Sequence, residues 1–128
     1  MEFKKESRFV QGRLKSVLFA LNGAKKLIFT EPSIKIQFFI GILVIWAGFY
    51  FDITTVEWII QIFCIGLVLS IEGLNTAVEK IADFVHPDYH ERIGFIKDIA
   101  AGAVFFAAVT AIVIGCIIYV PYISQCFN

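Results

Sequence analysis

Three long apolar runs constrain this chain more than any other feature. They are residues 34–51 (IKIQFFIGILVIWAGFYF), residues 58–85, and residues 99–123 (IAAGAVFFAAVTAIVIGCIIYVPYI). At about 1.5 Å rise per residue, helices over these runs come close to or exceed a hydrocarbon core about 30 Å thick. Composition agrees. The 128 residues are 59% hydrophobic, include 14 Phe and have a mean hydropathy of +0.80. A soluble domain of this size has too little interior to hide that much apolar surface, so a bilayer is the solvent. The expected fold is an all-α integral membrane protein. It is one domain, residues 1–128, with an N-terminal amphipathic surface helix and three transmembrane helices.

The surface helix is expected over residues 7–29. Val10, Leu14, Val17, Leu21, Ala24 and Leu27 recur at gaps of three and four, which marks one helical face. Arg13, Lys15, Lys25 and Lys26 supply a basic polar side suited to an anionic leaflet. TEPS (30–33) breaks this helix, and Pro32 suits the first turn of the next. The first span then occupies 34–51, with Lys35 able to snorkel at one end and Trp46, Tyr50 and Phe51 near the other interface. DITTVE (52–57) makes a short polar turn. The second span, 58–85, contains no proline and would be about 42 Å long as one helix, so its last third should leave the membrane. Residues 86–98 (HPDYHERIGFIKD) are expected to form a polar loop broken by Pro87. The third span, 99–123, opens with small residues that favour close helix packing.

Charge distribution orients these spans. The formal net charge is zero, which leaves no basic footprint for nucleic acid. Lys4, Lys5, Arg8, Arg13, Lys15, Lys25, Lys26 and Lys35 precede or open span one, and Lys80, Arg92 and Lys97 lie between spans two and three. All eleven bases therefore fall on one side, which the positive-inside rule makes cytoplasmic. The N-terminus is expected there, with no cleavable signal peptide ahead of the first span. The three cysteines, Cys64, Cys116 and Cys126, match no zinc or CxxC spacing. His86 and His90 lack a third ligand at metal spacing.

One stretch of the second span departs from lipid chemistry. LSIEGLNTAVEKIAD (69–83) carries Glu72, Asn75, Glu79 and Asp83. At about 100° per residue these four stay within an arc of roughly 80° on one face. An acid at mid-bilayer costs roughly 2.5–3.5 kcal/mol, and such groups face a bundle interior or a wet cleft. A solvated helix end accounts for Asp83, but not for Glu72 with Asn75. Carboxylates in this pattern suit magnesium, a hard cation that often takes one or two of them and completes its shell with phosphates and water. They also suit phosphoryl transfer, where a group must orient or deprotonate the attacking hydroxyl. A carboxylate at membrane depth can serve a lipid hydroxyl, and one nearer the cytosol a metal–nucleotide. There is no GxxxxGK[ST] and no GxGxxG, so a nucleotide site must be built outside the usual Gly-rich loops.

The run from Glu72 through Gly73-Leu74-Asn75-Thr76-Ala77-Val78 to Glu79, followed by Asp83, Tyr89-His90 and Lys97-Asp98, resembles the prokaryotic diacylglycerol kinase family, which includes undecaprenol kinases. The likeness covers nearly the whole chain. It implies that Glu72 is the catalytic base and Asn75 an active-site amide. Glu31 and Glu79 match the acids that hold the metal and contact nucleotide. Asp88, Tyr89, His90, Lys97 and Asp98 match nucleotide-contacting positions, with Asp88 where relatives often carry Glu. An early arginine of the family, Arg8 or Arg13, would meet the lipid beside Glu72, and Arg13 is taken for that place. The resemblance also implies a homotrimer with shared sites, magnesium as cofactor and ATP as co-substrate. Phe19 replaces a tyrosine, and Ala101 a serine, of some relatives.

The resulting expectation is an ATP- and magnesium-dependent lipid kinase in the bacterial cytoplasmic (inner) membrane. It would phosphorylate the primary hydroxyl of diacylglycerol to give phosphatidic acid. Undecaprenol is the alternative substrate, since both lipids offer a primary hydroxyl near the interface. From another class, a small proton-coupled transporter also uses a membrane glutamate. A non-enzymatic assembly protein would tolerate loss of Glu72. The position of the acids near the cytoplasmic exit favours the kinase.

Overall fold

The computed structural model describes residues 2–128 as four α-helices and short connections. They are α1 (Glu2–Thr30), α2 (Pro32–Phe51), α3 (Thr55–Val85) and α4 (Glu91–Cys126). By length and composition α2, α3 and α4 are each able to cross a membrane, as expected of an all-α multi-pass membrane protein. α3 packs between α2 and α4, and α1 joins the bundle at its C-terminal end.

The breaks between helices have local causes. α1 gives way to α2 across Glu31, whose extended backbone (φ −103°, ψ 116°) is the conformation that a following proline favours. Pro32 then occupies the first turn of α2, where its missing N–H costs nothing. Asp52 closes α2 in the left-handed conformation (φ 51°), and its N–H returns to the helix's last carbonyls. Thr54 opens α3 through a reciprocal capping box. Its hydroxyl accepts from the Glu57 N–H at 3.2 Å, and its own N–H donates to Glu57 Oε2 at 2.9 Å.

The expected polar loop 86–98 is shorter in the structure. Only residues 86–90 connect α3 to α4, and ERIGFIKD belongs to the fourth helix. His90 makes this possible. Its Nδ1 accepts from the Arg92 N–H at 3.1 Å and so caps the helix, while Glu91 favours the positive end of the helix dipole. The other elements also begin earlier than their apolar runs. The surface helix expected over 7–29 lies within Glu2–Thr30, and the spans expected to start at 34 and 58 start at Pro32 and Thr55. Helix propensity and caps, rather than hydropathy, set those ends.

Packing follows a sparse pattern of small residues. The buried positions of α2 are Ile34, Gly41 and Gly48, seven residues apart, which is one seam of a left-handed crossing. A side chain at Gly48 would meet the Trp58 ring at 2.7 Å, so glycine is required for α2 to approach α3 there. The buried face of α3 runs through Gln61, Cys64, Val68, Glu72 and Thr76 at gaps of three and four. Glu72 thus lies on the packing face. At the opposite end of the bundle, the Tyr119 hydroxyl lies against both the Val44 carbonyl (3.0 Å) and the Gln61 side-chain amide. One hydroxyl proton cannot serve two acceptors. The hydroxyl donates to the Gln61 Oε1 or to the Val44 carbonyl, while Gln61 Nε2 is buried with no partner among the described residues. Either way the three spans are tied together there.

Candidate functional site

The acidic end of α3 carries the candidate site. Counting from Thr55, Glu72 lies about 26 Å along the helix and Glu79 about 36 Å. For a hydrocarbon core about 30 Å thick that begins at Thr55, Glu72 falls inside it and Glu79 beyond it. Their burial differs accordingly. Glu72 is 8% exposed, whereas Glu79 and Asp83 are exposed. Thr76, one turn beyond Glu72, is buried on the same face.

One contact packs the segment that carries Glu72. The residue beside it, Gly73, lets α1 come close: a Cβ there would meet Leu27 Cδ1 at 3.1 Å. The end of the amphipathic helix therefore rests on the segment that carries the buried acid. Asn75 lies nearly one turn further along. Its Nδ2 donates to Glu79 Oε1 at 3.4 Å, a long bond, while its Oδ1 is buried and has no hydrogen-bond partner. A buried, unsatisfied carbonyl oxygen is costly, and it is also ready to accept from a substrate hydroxyl or to ligate a cation.

The outlying residues fall into three groups. Glu31, at the α1–α2 junction, pairs with Lys80 of α3 at 3.0 Å. Lys97 of α4 pairs with Asp83 of α3 at 2.6 Å. The connection 86–90 places His86 and His90 with ring centroids 5.1 Å apart, and His86 Nδ1 lies 2.7 Å from the Asp88 carbonyl oxygen. A carbonyl only accepts, so that ring nitrogen is the donor. Asp88, Tyr89 and Asp98 are exposed and have no side-chain hydrogen bond or ion pair among the described residues. Arg13 stays on the exposed α1, with its guanidinium 4.9 Å from the centroid of the Phe9 ring. No group of three or more His, Cys, Asp or Glu side chains is gathered at metal-binding distance among the described residues. An apolar groove of about 340 Å³ runs between α2, α3 and α4 and reaches Leu69, nearly one turn from Glu72.

Sequence reasoning did not single out Lys80 as the partner of Glu31, nor Leu27 with Gly73 as the contact that brings α1 to the site. The first had a weak signal: Lys80 directly follows Glu79 on the charged end of α3. The second had one too, a glycine beside the buried acid in a span otherwise poor in glycine.

Three helices long and apolar enough to cross a membrane, with a buried acid near one end of the second, define a multi-pass membrane protein. The chain belongs to the prokaryotic diacylglycerol kinase family, which it matches over residues 18–119. It is 34% identical over 107 residues to an undecaprenol kinase of Bacillus subtilis (strain 168), covering 84% of this chain and 87% of that protein. A diacylglycerol kinase of Synechocystis sp. is 34% identical over 113 residues, covering 87% of this chain and 65% of that protein. A diacylglycerol kinase of Escherichia coli (strain K12) is 25% identical over 105 residues, covering 82% and 86%.

Proposed function

We propose that the protein is a lipid kinase of the bacterial cytoplasmic membrane, with its N-terminus in the cytoplasm and ATP as phosphate donor. The observation that carries this reading is Glu72: a carboxylate 8% exposed at membrane depth, two turns from the exposed Glu79. The two carboxylates are separated by about 10 Å along one helix. One end of that interval belongs to a lipid alcohol and the other to a charged nucleotide.

In this mechanism the lipid hydroxyl approaches Glu72 laterally, while Arg13, about 21 Å along α1 from the Leu27 contact, would meet the lipid away from Glu72 of the same chain. Glu72 takes the hydroxyl proton as the oxygen attacks the γ-phosphorus. The new O–P bond forms as the bond to the β-phosphate oxygen breaks, and ADP leaves. Asn75 orients the reacting groups through its free Oδ1. Glu79 and Glu31 would hold magnesium. Their oxygen donors suit a hard cation, and the unpartnered Asn75 Oδ1 beside Glu79 is a further oxygen of the same kind. Among the described residues no three such acids gather, so phosphates and water would have to complete the shell. A magnesium ion held by these residues would supply neutralisation of phosphate charge. Asp88, Tyr89, His90, Lys97 and Asp98 contact the nucleotide on the cytoplasmic side. The exposure of Glu79, Asp88 and Tyr89 in a single chain supports completion of the site by neighbours in a homotrimer.

Diacylglycerol, converted to phosphatidic acid, is the first reading of the substrate. Undecaprenol is the second, and one observation favours keeping it: the Bacillus subtilis relative of that name is as similar as the Synechocystis diacylglycerol kinase. The apolar groove that reaches Leu69 would accept a hydrocarbon tail of either kind. Transfer of labelled phosphate to each lipid, side by side in mixed micelles, decides between them. Label in neither lipid would refute the kinase assignment.

A further inference from the structure

Glu31 and Glu79 are the carboxylates proposed to hold magnesium, yet Glu31 already has a cation. Lys80 Nζ sits 3.0 Å from Glu31 Oε1. Glu31 is only 20% exposed at its side chain, whereas that of Lys80 is 70% exposed and so free to swing on its flexible stem. Lys80 directly follows Glu79 in α3, so its backbone is fixed next to the second carboxylate. We propose that Lys80 is an exchangeable counter-ion. It neutralises Glu31 while nucleotide is absent, and it moves to a phosphate oxygen when the metal–nucleotide arrives. The inference rests on the metal reading given above.

The physical reasoning is one of competition. A carboxylate that already accepts from an ammonium offers less to a free divalent cation, because the two cations repel and share one set of lone pairs. A magnesium–triphosphate complex differs, since it carries net negative charge. It gives Lys80 a new anion at the moment it displaces the old one, and the ammonium is a common phosphate partner. Free metal is disfavoured and metal–nucleotide is not. The device therefore favours entry of the metal together with its nucleotide. A merely structural Lys80 would clip the α1–α2 junction to α3 and would leave metal affinity untouched.

The test uses the full chain purified in detergent micelles, with Mn²⁺ alone as probe, titrated by electron paramagnetic resonance without nucleotide. Because the pair is partly exposed, Lys80→Met should bind Mn²⁺ about two- to fivefold more tightly than the parent. Lys80→Arg, which keeps the charge, should stay within about twofold of it. With nucleotide present, Lys80→Met should raise KM for ATP several-fold and change kcat less. Melting curves without metal establish that each variant is folded. Unchanged or weaker Mn²⁺ binding by Lys80→Met overturns the exchange. Glu79→Gln is the control for the underlying reading: if it binds Mn²⁺ as the parent does, the metal site itself is misplaced and Lys80's role falls with it. If Glu79→Gln loses Mn²⁺ while Lys80→Met leaves binding unchanged, only the exchange is refuted.

Discussion

Replacing Glu72 with Gln separates catalysis from architecture, because the two are expected to move in opposite directions. The substitution keeps the volume and the hydrogen-bonding shape of the side chain but removes its charge and basicity. The carboxylate is 8% exposed, on the face of α3 that packs against the bundle, and has no hydrogen-bond or ion-pair partner among the described residues. General-base catalysis by a positioned side chain contributes about 10²- to 10⁴-fold. Phosphate transfer by Glu72→Gln should fall by that factor in kcat, with KM for ATP nearly unchanged, since the proposed nucleotide contacts lie further along the helix. Stability should hold or rise. A charged acid at membrane depth costs roughly 2.5–3.5 kcal/mol on insertion scales, and a neutral amide removes part of that penalty. A gain of about 1 kcal/mol is a reasonable share, visible as an upward shift of the denaturation midpoint in micelles.

Two assays are needed on the same preparation. Labelled-phosphate transfer reports kcat, and unfolding in mixed micelles reports stability. Turnover equal to the parent's would remove Glu72 from the base role. A variant that lost activity and fold together would show instead that the acid is a structural element of the packing face, and the mechanism derived from its burial would be wrong.

Other substitutions probe the parts around it. Glu79→Gln should raise the magnesium concentration needed for half-maximal activity, and an unchanged requirement would contradict its proposed place at the metal. Gly73→Ala should be tolerated, because the 3.1 Å contact is with the flexible end of Leu27 and alanine gains about 1 kcal/mol of helix propensity. Gly73→Leu, by contrast, must push α1 aside, and should lower activity about tenfold or more with little loss of helix content by circular dichroism. Tyr119→Phe deletes the hydroxyl shared by Val44 and Gln61, and should cost about 0.6–1.7 kcal/mol in unfolding assays. Its kinase activity should stay within about twofold, since Gln61 is about 16 Å along α3 from Glu72.

Much of this architecture is legible from residue types because the bilayer leaves few options. Hydropathy finds α2, α3 and α4, and the 3.6-residue period puts Glu72, Asn75, Glu79 and Asp83 on one face without coordinates. What the sequence conceals is where each side chain ends. The start of α4 is hidden because ERIGFIKD is polar, and polarity looks the same in a loop and in a helix that extends beyond the membrane. Only the His90 cap, a contact between a ring nitrogen and a backbone N–H two residues on, distinguishes them. The same limit governs the charged groups. Composition counts Lys80 and Lys97 as cytoplasmic bases, yet one is held by Glu31 and the other by Asp83, across helix boundaries that no periodicity reports. A site at a membrane boundary is written in two codes: a deep acid, which hydrophobic surroundings expose at once, and an exposed polar rim, where pairing depends on three-dimensional reach. The deep half is therefore the part a reader of residues recovers, and the rim is the part that mutagenesis of Lys80 and Glu79 must resolve.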